Sequence, residues 1–99
     1  MNQDLLNSLL KLRDSLNDGW DFLSSHDREK VDILISNMYD EVKVGKFKKT
    51  TYDFALATSR HAIDVWPIKD PHRQSLSECI YKYRKLADRF TEEKEFGEH

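Results

Sequence analysis

The stretch DPHRQSLSECIYKYRKLADRF, residues 70–90, carries the clearest helical signal in the chain. Asp70 stands directly before Pro71, and an acidic N-cap followed by a proline at the first helical position is a common way to begin a helix. Apolar side chains then recur every three or four residues for about five turns, which is the spacing of one helix face. They are Leu76, Cys79, Ile80, Tyr83, Leu86, Ala87 and Phe90. This stretch therefore predicts a long amphipathic helix with one buried face.

Three segments that precede it show the same helical periodicity. Their apolar stripes are Leu5, Leu9, Leu12 and Leu16 in the first; Val31, Leu34, Ile35, Met38 and Val42 in the second; and Tyr52, Ala55, Leu56, Ser59, Ala62, Ile63 and Trp66 in the third. We expect Gly19 to end the first segment as a left-handed cap. Ser24 or Ser25 should begin the second as its N-cap, and Gly45 should end it.

The third segment has a start signal and a stop signal of its own. Thr50 and Asp53 approximate a capping box, in which a hydroxyl and an acid three residues later cap the first turn. Pro67 should end the helix, because the residue before a proline is driven out of the helical conformation.

Four amphipathic segments with short connections predict an all-α fold, a four-helix antiparallel bundle, with a five-helix bundle as the alternative. We expect residues 1–95 to form a single helical-bundle domain and residues 96–99 a frayed acidic tail. The chain has only 3 Gly and 2 Pro, and its 38% apolar and 11% aromatic residues are too many for a disordered chain.

The compartment is predicted from the single cysteine and the first residues. Cys79 lies in an apolar stripe, so we expect a small core residue and a reducing environment. Met1-Asn2-Gln3-Asp4 has neither the basic nor the apolar segment of a signal peptide, and no apolar run is long enough to span a membrane. A cytoplasmic protein without a membrane partner is expected.

No arrangement of residues typical of catalysis, of metal binding or of a cofactor is present. His61 lies one helical turn before Asp64, but this spacing is common by chance, and no Cys/His cluster has zinc spacing. His72 stands at the start of the last helix, where a structural role is the simpler interpretation. The glycines are isolated, so a phosphate loop is absent. We therefore expect no enzyme, no metal and no cofactor.

Charge is distributed unevenly along a chain whose net charge is −2. Residues 1–42 are acidic, whereas residues 43–61 hold five basic side chains and one acidic side chain. The last helix adds four more cations between residues 82 and 89, interleaved with Tyr81 and Tyr83. Such a patch suits an acidic protein partner, or a nucleic-acid backbone with tyrosines that stack on bases. The simpler alternative is a solvated face.

Four large aromatic residues fall at or beside helix ends, namely Trp20, Phe22, Phe47 and Trp66. They either cover the ends of the bundle or remain exposed as interface residues. Together with the basic patch they give the predicted partner-binding residues, which are Lys46, Phe47, Lys49, Trp66, Tyr81, Arg84 and Lys85. Leu6 and Leu10 lie outside the main stripe of the first segment, and either widen it or form a homodimer face.

Three short motifs follow one another in a recognisable order: Gly45-Lys46-Phe47, then Trp66, then His72-Arg73-Gln74-Ser75-Leu76. This third of the chain resembles the helical domain shared by the steroid receptor RNA activator protein and the C-terminal region of the COPII outer-coat subunit. The resemblance implies a helical-bundle adaptor with protein or RNA partners and without catalytic residues.

The sequence as a whole predicts a non-enzymatic protein–protein interaction module, such as an adaptor, inhibitor or regulator of a larger protein. The alternative function is RNA or nucleic-acid binding through the basic 43–49 loop and the helix face from Tyr81 to Arg89. The negative net charge favours the protein partner.

Overall fold

The computed structural model describes residues 2–93, with side chains described as far as Arg89. It has four helices: α1 (Gln3–Ser15), α2 (Ser25–Val44), α3 (Lys49–Val65) and α4 (Pro71–Glu93). Within residues 2–93 there is neither a strand nor a fifth helix, so the predicted all-α four-helix bundle is confirmed. The predicted domain limit at residue 95 and the tail 96–99 lie outside the described residues.

The four helices surround one core with α2 and α4 nearest its centre. Each of these two helices packs against all three others, whereas α1 and α3 lie on opposite sides of the bundle. Short connections make successive helices antiparallel. As a result, the α1–α2 and α3–α4 connections share one end of the bundle, and the α2–α3 turn lies at the other.

The predicted stripes of α1 and α2, and that of α4 as far as Ala87, form the core, whereas the side chain of Phe90 lies outside the described residues. Leu9, Leu34, Met38, Leu76 and Tyr83 are fully buried, and the single cysteine is buried among them. Burial raises the pKa of the Cys79 thiol to about 11, so the thiol is protonated at neutral pH. It packs as the small core residue that its position in the stripe predicts.

The stripe of α3 differs from the prediction at one large residue. Its buried positions are Thr51, Ala55 and Ala62, small side chains that allow close approach of the neighbouring helices. Ile63, expected on this face, is 62% exposed. Since each residue turns the helix by about 100°, the residue after Ala62 points well away from a face centred on the alanines.

Several helix boundaries follow the predicted local signals. The Ser24 hydroxyl oxygen accepts from the Asp27 N–H at 3.1 Å and begins α2, and Gly45 ends it with φ 82°. Asp70 Oδ1 accepts from the His72 N–H at 2.8 Å at the start of α4. Trp66 is extended (ψ 153°) before Pro67, which ends α3.

The end of α1 contradicts the prediction for Gly19. The helix stops at Ser15, and the left-handed residue is Trp20, with φ 60°. The guanidinium of Arg28 donates to the carbonyl oxygens of Leu16, Gly19 and Trp20, which stabilises the connection from α2. Three carbonyls with a shared cationic donor make a glycine cap unnecessary here.

The predicted capping box at Thr50 and Asp53 is also absent. Helix α3 begins at Lys49, so Thr50 lies inside its first turn, and Asp53 forms an ion pair with Lys49 at 3.3 Å. Side-chain support at this end comes instead from Glu41 of α2, whose Oε1 accepts from the N–H of Lys48, the residue before the helix, at 3.1 Å. In the part of the chain from residue 2 to residue 93, no helix has the length and hydropathy needed to cross a bilayer.

Candidate functional site

The two ends of the bundle differ in chemistry. We call the end with the α1–α2 connection (16–24) and the α3–α4 connection (66–70) the aromatic end. The opposite end, with the α2–α3 turn (45–48), the first turn of α3 and the second half of α4, is the basic end. The residues predicted to bind a partner are divided between them.

The aromatic end is filled by rings from both connections. Trp20 and Trp66 meet edge to face with ring centroids 6.1 Å apart, and Phe22 lies 5.3 Å from Trp66. The two tryptophans are only 1% and 6% exposed, respectively. Trp66, predicted as a partner contact, is therefore a core residue. Its ring is buried because the α1–α2 connection brings two further aromatic residues against it.

The two central histidines belong to the same aromatic cluster. His72 stacks on Trp20 with centroids 5.2 Å apart and an angle of 11° between the rings, and His61 meets Trp66 edge to face at 5.9 Å. Among residues 2–93, no group of three or more His, Cys, Asp or Glu side chains is placed to hold a metal ion. Both histidines thus pack against the tryptophan rings of the aromatic end.

At the basic end, the α2–α3 turn presents cations to solvent. The predicted contacts Lys46 and Lys49 are exposed, as is Lys48 between them. Phe47 is half-buried, and its ring meets Tyr83 of α4 with centroids 5.7 Å apart. This contact anchors the turn on α4, so the lysines project from a supported backbone.

The support beneath the turn is Glu41, a residue that no sequence motif indicated. Its side chain is buried and accepts from the Tyr83 hydroxyl at 2.5 Å as well as from the Lys48 N–H. Its main-chain carbonyl accepts from the N–H groups of Gly45 and Lys46 at 2.7 and 3.2 Å. Burial, and then the bond to Glu41, raise the pKa of Tyr83 well above its usual range. In the sequence, the signal for Glu41 was an acidic residue between Met38 and Val42, at the edge of the apolar stripe of the second segment.

The α4 residues predicted to bind a partner fall on two faces. Tyr81 is 56% exposed, with the Lys85 ammonium 5.5 Å from its ring centroid. Both are two residues from the buried Tyr83, about 200° around the helix, so they lie on the outer face of α4. Arg84 instead faces α3, where its guanidinium lies 5.5 Å from the ring centroid of Tyr52.

No family model, no curated protein and no solved structure matches this chain. The resemblance of residues 45–76 to the steroid receptor RNA activator and COPII helical domain therefore stays a prediction.

Proposed function

We propose that this chain is a non-enzymatic interaction module, an adaptor or regulator that docks on an acidic surface of a larger protein. The basic surface that it would use consists of Lys46, Lys48, Lys49 and Arg84, with Lys85 beside it on the outer face of α4. The observation that carries the proposal is the turn itself, where three exposed lysines project from a backbone held by the buried Glu41.

A supported turn favours binding because less conformational entropy is lost on association. Flexible loops must be ordered when a partner binds, which reduces affinity. Here the turn is already held by Glu41 from α2 and by Phe47 on Tyr83 of α4. The lysine side chains are exposed to solvent, and the backbone that carries them does not need to reorganise.

Charge indicates the kind of partner. Exposed cations at one end of a chain with net charge −2 produce a local positive field, which steers an acidic partner toward that end. The acidic first half of the chain would repel the same partner elsewhere. A cytoplasmic adaptor role fits a chain with a single, buried cysteine.

Nucleic acid is the second candidate, favoured by Tyr81 on the outer face of α4. An exposed tyrosine beside a lysine is a common platform for an unpaired base. Lys85, however, already lies over the ring, and Asp88 is exposed on the same helix. A continuous phosphate backbone would meet that carboxylate, whereas an acidic protein segment can direct its side chains away from it.

Replacement of the turn lysines tests the proposal. We expect Lys46→Gln, Lys48→Gln and Lys49→Gln together to weaken binding of a fluorescein-labelled oligoglutamate peptide about tenfold, because each exposed charge contributes about 0.5 kcal/mol. Fluorescence anisotropy at low salt measures the affinity. The matched control replaces three exposed lysines elsewhere, Lys11, Lys30 and Lys69, by Gln.

Equal weakening by both triple variants would contradict the proposal, since it would mean that only net charge matters. Absence of peptide binding by the unmodified chain would contradict it as well. An oligouridylate bound more tightly than the peptide, with a steep salt dependence, would favour the nucleic-acid alternative.

A further inference from the structure

The half-buried arginines of this chain differ in what their guanidinium groups bind. Arg28 donates to three carbonyl oxygens of the α1–α2 connection, and Arg73 donates to the carbonyls of Ala62 and Ile68 at 3.0 and 3.2 Å. Arg84 has no such acceptor. Its Nε is buried without a hydrogen-bond partner, and no described carboxylate lies within ion-pair distance of it.

The position of Arg84 is nevertheless well defined by its neighbours. Its guanidinium lies over the ring of Tyr52, a favourable cation–π arrangement. The Tyr52 hydroxyl donates to Asp88 Oδ1 at 2.8 Å, which fixes the ring. Asp88, one turn beyond Arg84 on α4, thus accepts from the tyrosine and forms no ion pair with the arginine.

We propose that Arg84 is the anion receptor of the basic surface and that its ligand is a carboxylate side chain of an acidic segment on the partner protein. This inference rests on the function proposed above. Its Nε is closed to an external ligand, but the guanidinium of this half-buried residue has no acceptor within the described chain, so a ligand carboxylate can bind the Nη groups without displacing an internal hydrogen bond. The planar guanidinium can also donate two parallel hydrogen bonds to one carboxylate.

The surroundings favour a carboxylate side chain over a nucleic-acid backbone. The guanidinium covers the ring of Tyr52, so this ring is not open to a base on that face. Asp88, one turn beyond Arg84 on α4, is exposed and would repel a continuous row of phosphates. A single acidic side chain can reach Arg84 beside it, and its own chain can then run toward the lysines of the turn.

Three variants and a matched control test the inference. Arg84→Gln removes the charge, Arg84→Lys keeps it but removes the planar pair of donors, and Tyr52→Phe keeps the ring but releases Asp88. The control is Lys82→Gln, which removes a charge from the opposite side of α4, in the groove shared with Ser8 and Lys11 of α1. Affinity for the labelled oligoglutamate peptide is measured as above, with circular dichroism melts to show that each variant folds.

We expect Arg84→Gln to weaken peptide binding about tenfold, Arg84→Lys about fivefold, and Lys82→Gln less than about twofold. Tyr52→Phe should weaken binding about threefold, since the released Asp88 becomes free to compete for the guanidinium. A larger effect of Arg84→Lys than of Lys82→Gln is the signature of a guanidinium receptor.

The inference is overturned if Arg84→Lys binds like the unmodified chain, because charge alone would then suffice. It is also overturned if Arg84→Gln and Lys82→Gln have equal effects while the turn-lysine variant still loses affinity. In that case the proposed function stands without its receptor. Loss of oligouridylate binding, with peptide binding intact, in the Arg84 variants would assign the residue to nucleic acid and overturn the inference as well.

Discussion

The aromatic end and the basic end are built from the same parts, yet they use them differently. Each has cations, aromatic rings and a charged side chain of α2 that bonds to the main chain of the adjoining connection. At the aromatic end the cations Arg28 and Arg73 bind carbonyl oxygens, and the rings of Trp20 and Trp66 are buried. At the basic end the supporting group is the acid Glu41, and the lysines of the turn remain at the surface.

This contrast suggests a division of labour between stability and binding. Where a cation binds backbone carbonyls and a ring is buried, substitution should lower the free energy of unfolding. Where the backbone is supported by an acid and the cations are exposed, substitution should alter binding with little effect on stability. Three stability measurements examine this division.

The largest expected difference is between Trp20 and Phe47. We expect Trp20→Ala to lower the free energy of unfolding by about 3–5 kcal/mol, because a fully buried ring is lost and a cavity remains. Phe47→Ala should cost about 1–2 kcal/mol, since the ring is only half-buried. Guanidinium chloride unfolding followed by circular dichroism measures both. An equal or larger loss for Phe47→Ala would show that the basic end is as important to stability as the aromatic end.

A smaller effect is expected at the arginines. Arg28→Met keeps most of the aliphatic stem but leaves three carbonyl oxygens without their donor, so the free energy of unfolding should fall by about 2–4 kcal/mol. Arg13→Met is the control, because Arg13 forms only an exposed ion pair with Asp32 at 3.3 Å and should cost less than about 1 kcal/mol. The same denaturation measurement separates the two. Similar losses would mean that Arg28 acts through charge rather than through the carbonyls.

The smallest expected effect distinguishes the glycines of the two ends. A Cβ at Gly19 would lie 2.6 Å from His72 Nε2, whereas Gly45 has open space but φ 82°. We expect Gly19→Ala to cost about 1–2 kcal/mol through the clash and Gly45→Ala about 1 kcal/mol through backbone strain.

A double-mutant cycle with His72→Ala identifies the cause of each loss. The cost of Gly19→Ala should fall in the His72→Ala background, because the clashing ring is gone, while the cost of Gly45→Ala should not change. If the cost of Gly19→Ala is the same in both backgrounds, the clash is not its cause.

The sequence predicted the fold and the boundaries that depend on neighbouring residues. Ser24, Gly45, Pro67 and Asp70 act on groups within a few residues of themselves, so their identities were sufficient. The predictions for Gly19 and Thr50 were wrong because side chains of α2 support these two connections. Arg28 donates to the carbonyl oxygens that follow α1, and Glu41 accepts from the N–H of Lys48 before α3. Contacts between helices are not encoded in local spacing.

The candidate site was predictable to a similar degree. Lys46 and Lys49 were recognisable because a short turn between amphipathic helices is usually exposed. The burial of Trp66 was not, since it depends on Trp20 and Phe22 from a separate connection. The unpaired state of Arg84 was also hidden, because a sequence shows where a charge is but not whether an acceptor lies near it.

Both tryptophans of the chain, Trp20 and Trp66, lie in one cluster at the aromatic end. Their intrinsic emission therefore reports on that end alone, and a ligand at the opposite end would leave the spectrum almost unchanged. Titrations of the basic surface need an extrinsic dye or a labelled ligand. The native fluorescence, in turn, provides an internal record that the fold has remained intact while the ligand binds.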